Sequence, residues 1–222
     1  MSAKQALVIG LGQFGSTVAR ALARRGLEVL AVDLRADLVQ AISGSVAEAV
    51  CMNALDEEAL ARTAPAQRDL CICAIGEQDR ESAIIATALL RQLGAPRIIA
   101  RAGDDLLERI LLLVGAHEVV NPERAFGERL ATRLIHEGVL DEIPLGQDLV
   151  ITELLIPPAL VGRKLIELEL PRRFGLTVLG IRRRTEAGSA VATPDPRAPL
   201  AEGEILIVVA RPGAAQKLAE RL

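Results

Sequence analysis

From Gln5 to Val120, short apolar runs alternate with amphipathic stretches, the rhythm of strand-helix-strand units wound about a parallel sheet buried on both faces. The runs Ala6–Gly10, Glu28–Asp33, Ala47–Met52, Leu70–Ile75, Arg97–Arg101 and Glu118–Val120 predict six strands. Between them, Phe14–Arg25, Leu38–Ser43, Asp56–Arg62, Arg80–Gln92 and Asp105–Leu113 carry apolar residues at helical spacing with polar residues opposite, and predict crossover helices. A doubly wound parallel α/β sheet follows.

Pro122–Glu137 reads as a further helix leaving that sheet, with Pro122 near its start, Gly138 at its end, and Phe126, Leu130, Leu134 and Ile135 apolar. Asp141–Asp148 then collects Pro, Gly and acids, so the domain boundary is expected there. Beyond it the rhythm changes. Leu149–Ile156, Thr177–Arg182, Ser189–Thr193 and Glu204–Ala210 predict strands, and Lys164–Glu169 and Ala214–Leu222 predict short helices. The expected organisation is a first domain over residues 1–140, including the helix 122–137, and a smaller α+β domain over 149–222. No internal repeat and no low-complexity segment interrupts this plan.

The 222 residues are 50% hydrophobic and 25% charged, the balance of a folded globular chain. Apolar runs such as Ile110–Ala116 fall short of the roughly 20 residues that cross a bilayer, and the N-terminus carries no export pattern. The expected location is the cytoplasm. Cys51, Cys71 and Cys73 sit in strand-like segments without the spacing of a disulfide framework or a tetrahedral metal site, which fits core packing in a reducing compartment. A net charge of -3, a pI near 5.6 and the absence of Trp and Tyr argue against a nucleic-acid partner.

The strongest local signal is Val8-Ile9-Gly10-Leu11-Gly12-Gln13-Phe14-Gly15, a G-x-G-x-x-G that follows a strand and opens a helix. Gly10 permits the tight turn, Gly12 lets backbone approach a phosphate, and Gly15 lets the helix pack close to the sheet. The helix N-terminus then offers unpaired N–H groups and the positive end of its dipole to an anion. Asp33 ends the second strand about 20 residues on, where a carboxylate accepts from both ribose hydroxyls and repels a 2'-phosphate. Arg35, just after, has three readings: a 2'-phosphate partner, a group stacked on adenine, or a solvated side chain. The motif predicts a Rossmann-type module that binds the adenosine part of a nucleotide.

Catalytic machinery is harder to find. A dehydrogenase needs a proton donor or acceptor beside the nicotinamide. This chain has no Tyr, its lysines are Lys4, Lys164 and Lys217, and its two histidines, His117 and His136, have no acid partner nearby in sequence. A nucleophile elbow and a P-loop are both missing. The site is expected to bind rather than react.

Nearly the whole length resembles the RCK family, the regulators of potassium conductance also called KTN or TrkA N-terminal domains, followed by their usual C-terminal companion. The resemblance rests on Val8–Gly15, Leu30-Ala31-Val32-Asp33, Asn53-Ala54, Ala74-Ile75-Gly76, Ile99-Ala100-Arg101-Ala102, Gly115–Glu123 and Arg173-Phe174-Gly175-Leu176-Thr177-Val178, in that order. It is closest to the Ktr/Trk-type gating subunits of potassium transporters.

The resemblance implies that Asp33 holds the ribose, with Leu34 and Arg35 beside it, that Asn53 and Ala54 border the adenine, and that Ala74, Ile75 and Gly76 line the ribose-phosphate path. It places Arg101 at the phosphates with Gly10, Gly12, Gln13, Phe14 and Gly15. The ligand implied is ATP/ADP or NAD(H). Two N-terminal domains pair in this family, and Glu123 would approach the phosphates of the pair, in some members through Mg²⁺, Ca²⁺ or Na⁺; by its position Glu123 equally suits a first-turn helix acid. Many relatives carry Arg where this chain has Gln13, which opens the choice between triphosphate and diphosphate. Relatives that bind cyclic di-AMP use an Arg where this chain has Pro171, which argues against that ligand.

Together these features predict a cytoplasmic regulatory subunit, not an enzyme, held at the inner face of the membrane by a separate potassium-transporter subunit. It is expected to be a homo-oligomer, as dimers or an octameric ring. The rival readings are a small NAD-dependent oxidoreductase and a regulator of a cation/proton antiporter.

Overall fold

The computed structural model describes residues 3–136, 138–185 and 188–220. The chain folds into two compact units, divided between Arg124 and Ala125.

In the first unit, strands β1 (Gln5–Ile9), β2 (Glu28–Asp33), β3 (Glu48–Cys51), β4 (Leu70–Cys73), β5 (Ile98–Arg101) and β6 (Glu118–Val120) form one parallel sheet in the order β3-β2-β1-β4-β5-β6. The expected doubly wound order is present. Along β1, Leu7 and Ile9 face one apolar cluster and Ala6 and Val8 the other, all at most 2% exposed. Period-2 alternation with both faces buried is why these strands read as continuous apolar runs. Helices α1 (Gln13–Arg24) and α2 (Ala36–Ile42) cover one face through Ala19, Leu22 and Ile42. Helices α3 (Glu57–Arg62), α4 (Arg80–Gln92) and α5 (Asp105–Val114) cover the other through Leu60, Leu90 and Leu111. The carboxylates of Asp56, Asp79 and Asp104 each accept a first-turn backbone N–H and so start α3, α4 and α5.

Because the chain winds outward from the centre in both directions, the switch of direction falls between β1 and β4. Their carboxyl ends diverge there, and a crevice is left open above the sheet.

Helix α6 (Pro122–Ile135) begins in the first unit and continues into the second; Glu137, where the sequence placed its end, lies outside the described residues. The second unit carries an antiparallel sheet, β10-β9-β11-β8-β7, built from β7 (Val139–Pro144), β8 (Val150–Leu155), β9 (Thr177–Thr185), β10 (Gly188–Ala192) and β11 (Ile205–Ala210). Its core gathers Leu154, Leu160, Leu170, Leu176, Leu206 and Leu218, each at most 1% exposed.

The division differs from the boundary read at Asp141–Asp148 and the extents 1–140 and 149–222. Residues 139–144 are a strand paired to β8, with Ile143 opposite Ile151 and Pro144 opposite Val150, and Arg129 of α6 holds Asp141 of β7 in a two-point ion pair. Pro144 is tolerated because β7 is an edge strand, where a missing N–H costs no ladder bond. Helix α7 (Leu165–Leu168) stands where one was expected, and a second, α8 (Leu170–Phe174), follows it, with Glu169 in the left-handed region at φ 47° between them. The last helix, α9 (Ala214–Glu220), matches the expected position within the described residues.

Candidate nucleotide-binding cleft

The turn after β1 is fixed by its glycines. Gly10 has φ +90°, and a Cβ there would lie 2.9 Å from the backbone nitrogen of Ile75. A Cβ on Gly15 would lie 1.8 Å from the carbonyl oxygen of Gly10, so only glycine allows α1 to start this close to β1. Gly12 differs from both. It is the N-cap of α1, and nothing stands within 4 Å of where its Cβ would be. No side chain caps α1, and its first intrahelical bond comes from Ser16 N–H to Gly12 O at 3.0 Å. The N–H groups of Gln13, Phe14 and Gly15 therefore lie outside the helical ladder, at the positive end of the dipole.

Asp33, at the carboxyl end of β2, binds this turn. Its Oδ2 accepts from Leu11 N–H at 2.6 Å and its Oδ1 from Arg35 N–H at 2.8 Å. Each oxygen retains a lone pair, so the carboxylate that fixes the loop can still accept from ribose hydroxyls. Asn53 Oδ1 accepts from Leu55 N–H at 3.0 Å and holds the loop after β3 in an Asx turn.

These loops enclose an open-sided cleft of about 220 Å³ above the β1/β4 switch point. The structure brings ten of the predicted residues to its wall: Gly10, Gly12, Asp33, Leu34, Asn53, Ala54, Ala74, Ile75, Gly76 and Arg101. It adds Ile9, Met52, Leu55, Asp79 and Ser82, which sequence reasoning missed. Met52 closes the third apolar run, and Asp79 with Ser82 is the N-cap pair of α4, so their signal was present as cap chemistry. Gly15 acts by packing and does not line the cleft. Arg35 turns to Asp37, with Nη2 to Oδ2 at 2.5 Å and its side chain 66% exposed, which is the solvated reading of the three. His117 serves the sheet instead, its Nδ1 accepting from Ile98 N–H at 2.9 Å. Neither His117 nor His136 lines the cleft.

Arg101 closes the far end. Its side chain is only 18% exposed, Nη2 donates to Glu123 Oε1 at 2.5 Å, and its guanidinium carbon lies 5.8 Å from the centre of the Phe14 ring. The same guanidinium also lines a second cavity of about 270 Å³, with Gln13, Phe14, Thr17, Pro122 and Glu123. Gln13, Phe14 and Glu123 thus belong to the space beyond Arg101. Among the described residues no cluster of three His, Cys, Asp or Glu side chains could hold a metal ion, so Glu123 stands as a single carboxylate already paired to Arg101.

A glycine turn, an acid and an arginine stand about the switch-point crevice. The TrkA-N domain family matches residues 6–122 and the TrkA-C domain family residues 149–222. The chain belongs to the TrkA-N/TrkA-C, or RCK, family. Among its relatives, the Ktr system potassium uptake protein A of Vibrio alginolyticus is 36% identical over 219 residues, covering 99% of this chain and 96% of its own. The Ktr system potassium uptake protein C of Bacillus subtilis is 32% identical over 206 residues, covering 93% of this chain and 91% of its own. In three dimensions this RCK chain is similar to the GsuK channel bound to NAD, with a TM-score of 0.69 at 21% identity. That likeness covers all of this chain but 39% of the channel chain, and carries the fold alone. Within the described residues, no helix is long and apolar enough to cross a membrane.

Proposed function

We propose that this chain is a regulatory subunit that binds an adenine nucleotide or NAD(H) in the β1/β4 cleft and passes the identity of that ligand to a separate membrane potassium-transport subunit. The observation that carries the reading is the pairing of an uncapped helix N-terminus beside Gly12 with an acid, Asp33, across one cleft. The helix end favours a phosphate, and the acid favours an unphosphorylated ribose. Asn53 and Ala54 border the adenine, Ala74, Ile75 and Gly76 line the path between, and Arg101 meets the phosphates. Both named relatives are potassium uptake proteins matched over nearly their whole lengths, which supports transport regulation over hydride transfer. The GsuK channel, which shares this fold, has been solved bound to NAD, so a dinucleotide is one of the ligands to test.

A bound nucleotide can shift such a protein only by binding one conformation better than another, and a tenfold preference is worth about 1.4 kcal/mol per site. Arg101 and Glu123 are the groups placed to read the ligand, because Glu123 opens α6 and Arg101 joins it to the cleft. Mg²⁺, Ca²⁺ or Na⁺ at Glu123 would need nucleotide oxygens to complete its shell, since no cluster of three such ligands stands there among the described residues. The protein acts as a homo-oligomer in the cytoplasm, at the inner face of the membrane through its partner. The exposed apolar side chains Leu106 and Leu113 on α5 and Phe126, Leu134 and Ile135 on α6 are the surfaces that self-association would cover.

The test is potassium flux in vesicles holding the membrane subunit of its own uptake system, with this protein added and ATP, ADP or NADH supplied in turn. The proposal expects flux to differ among the three. Flux that ignores all of them would contradict it.

A further inference from the structure

In the second unit, the core side of the sheet edge holds a carboxylate, a hydroxyl and an amide whose hydrogen bonds do not close. Glu142 of β7 stands opposite Thr152 of β8 in the antiparallel ladder. Its Oε2 accepts from the Thr152 hydroxyl at 3.4 Å and from the Gln216 amide nitrogen of α9 at 2.9 Å. Thr152 is fully buried and Gln216 is 5% exposed. Both partners are neutral, and among the described residues no cation pairs with the Glu142 carboxylate. Gln216 Oε1 is buried and receives no donor. Turning the amide over gives no relief, since its oxygen would then face the carboxylate at 2.9 Å, acceptor against acceptor. A half-buried negative charge without a counter-charge and a buried acceptor without a donor therefore meet on one side chain, and each costs free energy while it stays so.

We infer that Glu142, Gln216 and Thr152 form a site for a monovalent alkali cation, which joins the C-terminal helix α9 to the edge strand β7. One cation answers both deficits at once, because it balances the carboxylate and gives Gln216 Oε1 a partner. The donor set is oxygen alone, which suits a hard ion over a transition metal. A single carboxylate balances a single positive charge. A divalent ion would leave net charge in a half-buried place, and Ca²⁺ draws on more oxygen ligands than these three side chains hold. The Thr152 hydroxyl oxygen keeps lone pairs for the ion, and water reaching the half-buried Glu142 at the sheet edge completes the shell. Ala215 and Leu218 anchor α9 in the core of the second unit. The ion then acts as a clasp between the first strand and the last helix of that unit, and no residue of it belongs to the nucleotide cleft.

The experiment is a set of thermal melts of the full chain, free of nucleotide and divalent ions, in choline chloride, KCl and NaCl at equal ionic strength, on the wild type, Gln216→Leu and Glu142→Gln. The wild-type midpoint should rise with KCl or NaCl and follow a binding curve, reaching about 2–4 °C when the cation stands at roughly four times its dissociation constant. The salt with the larger rise names the ion. Gln216→Leu keeps the bulk and removes the oxygen, and Glu142→Gln keeps the shape and removes the charge, so each should melt alike in all three salts. Wild-type crystals soaked in thallium(I), a stand-in for the alkali ion, should show an anomalous-scattering peak between Glu142 and Gln216, which decides the matter even where a variant fails to fold. Wild-type melts that coincide in the three salts overturn the inference. A rise that both variants keep places the cation elsewhere and overturns it too, as does water alone at Gln216 Oε1 in the thallium crystals.

Discussion

At the scale of single residues, Asp33 holds the glycine turn and is proposed to hold a ribose, and the sequence displayed the two unequally. Its place at the end of a strand, after the glycine motif, is what suggests the ribose. Its bonds to Leu11 and Arg35 N–H were not legible, because nothing in the sequence says which loop folds back on the carboxylate. Both duties end in Asp33→Ala. The variant should bind ADP more weakly by about 1.5–3 kcal/mol, the worth of hydrogen bonds to a charged group, and should also melt earlier than the wild type. Calorimetry beside a thermal melt separates the two effects. All three cysteines were expected to pack in the core, which holds for Cys71 and Cys73 but not for Cys51. Burial pushes the Cys71 thiol up to about 12, against a smaller opposing effect of Arg68, and burial likewise raises Cys73, while Cys51 is exposed. A thiol reagent at pH 8 should therefore label one cysteine per native chain and three in denaturant. Since the folded value of Cys71 is raised, its contribution to stability is complete below the unfolded thiol value, near 8.5, and is lost as pH climbs from there toward about 12.

At the scale of elements, the first unit was readable because each device is local: alternating burial in β1, an acid before α3, α4 and α5, a glycine where a turn needs φ +90°. The second unit was harder. β7 was hidden by Pro144 and its acids, which normally signal a linker, and only pairing with β8 at a sheet edge makes them compatible with a strand. α8 was hidden because a five-residue helix has no periodicity to detect. Gly15→Ala tests the contact between α1 and β1. Its added carbon would meet Gly10 O, so the variant should lose at least about 1–3 kcal/mol of stability by denaturant melt. Asp104 tests the start of α5: its bond from Leu107 N–H, and secondarily Arg80, holds its carboxyl below the ordinary range. A lowered folded value contributes stability that is present above the unfolded value, near 3.9, and lost as pH falls through the folded one. Asp104→Ala should thus melt below the wild type at pH 7, and the gap should close on acidification toward pH 2.

At the scale of the whole molecule, the order of motifs along the chain made the family legible, and the position of Arg101 between two cavities was not, because it depends on where β5 and the start of α6 meet. Self-association is the expectation of the exposed leucines on α5 and the exposed face of α6. Light scattering at micromolar concentration should give a mass at least twice that of the 23.6 kDa chain, and a monomer with and without nucleotide would contradict it. The central claim, that the β1/β4 cleft is where nucleotide binds, is tested most directly at Gly12. The space around its Cβ position is open, so Gly12→Val should fold and lose at most about 1 kcal/mol through a poorer helix cap. The valine methyls would then occupy the place where phosphate meets the α1 N-terminus. Calorimetry of ADP on folded Gly12→Val should show affinity reduced at least about tenfold; wild-type affinity in that variant would place the nucleotide elsewhere and contradict the account.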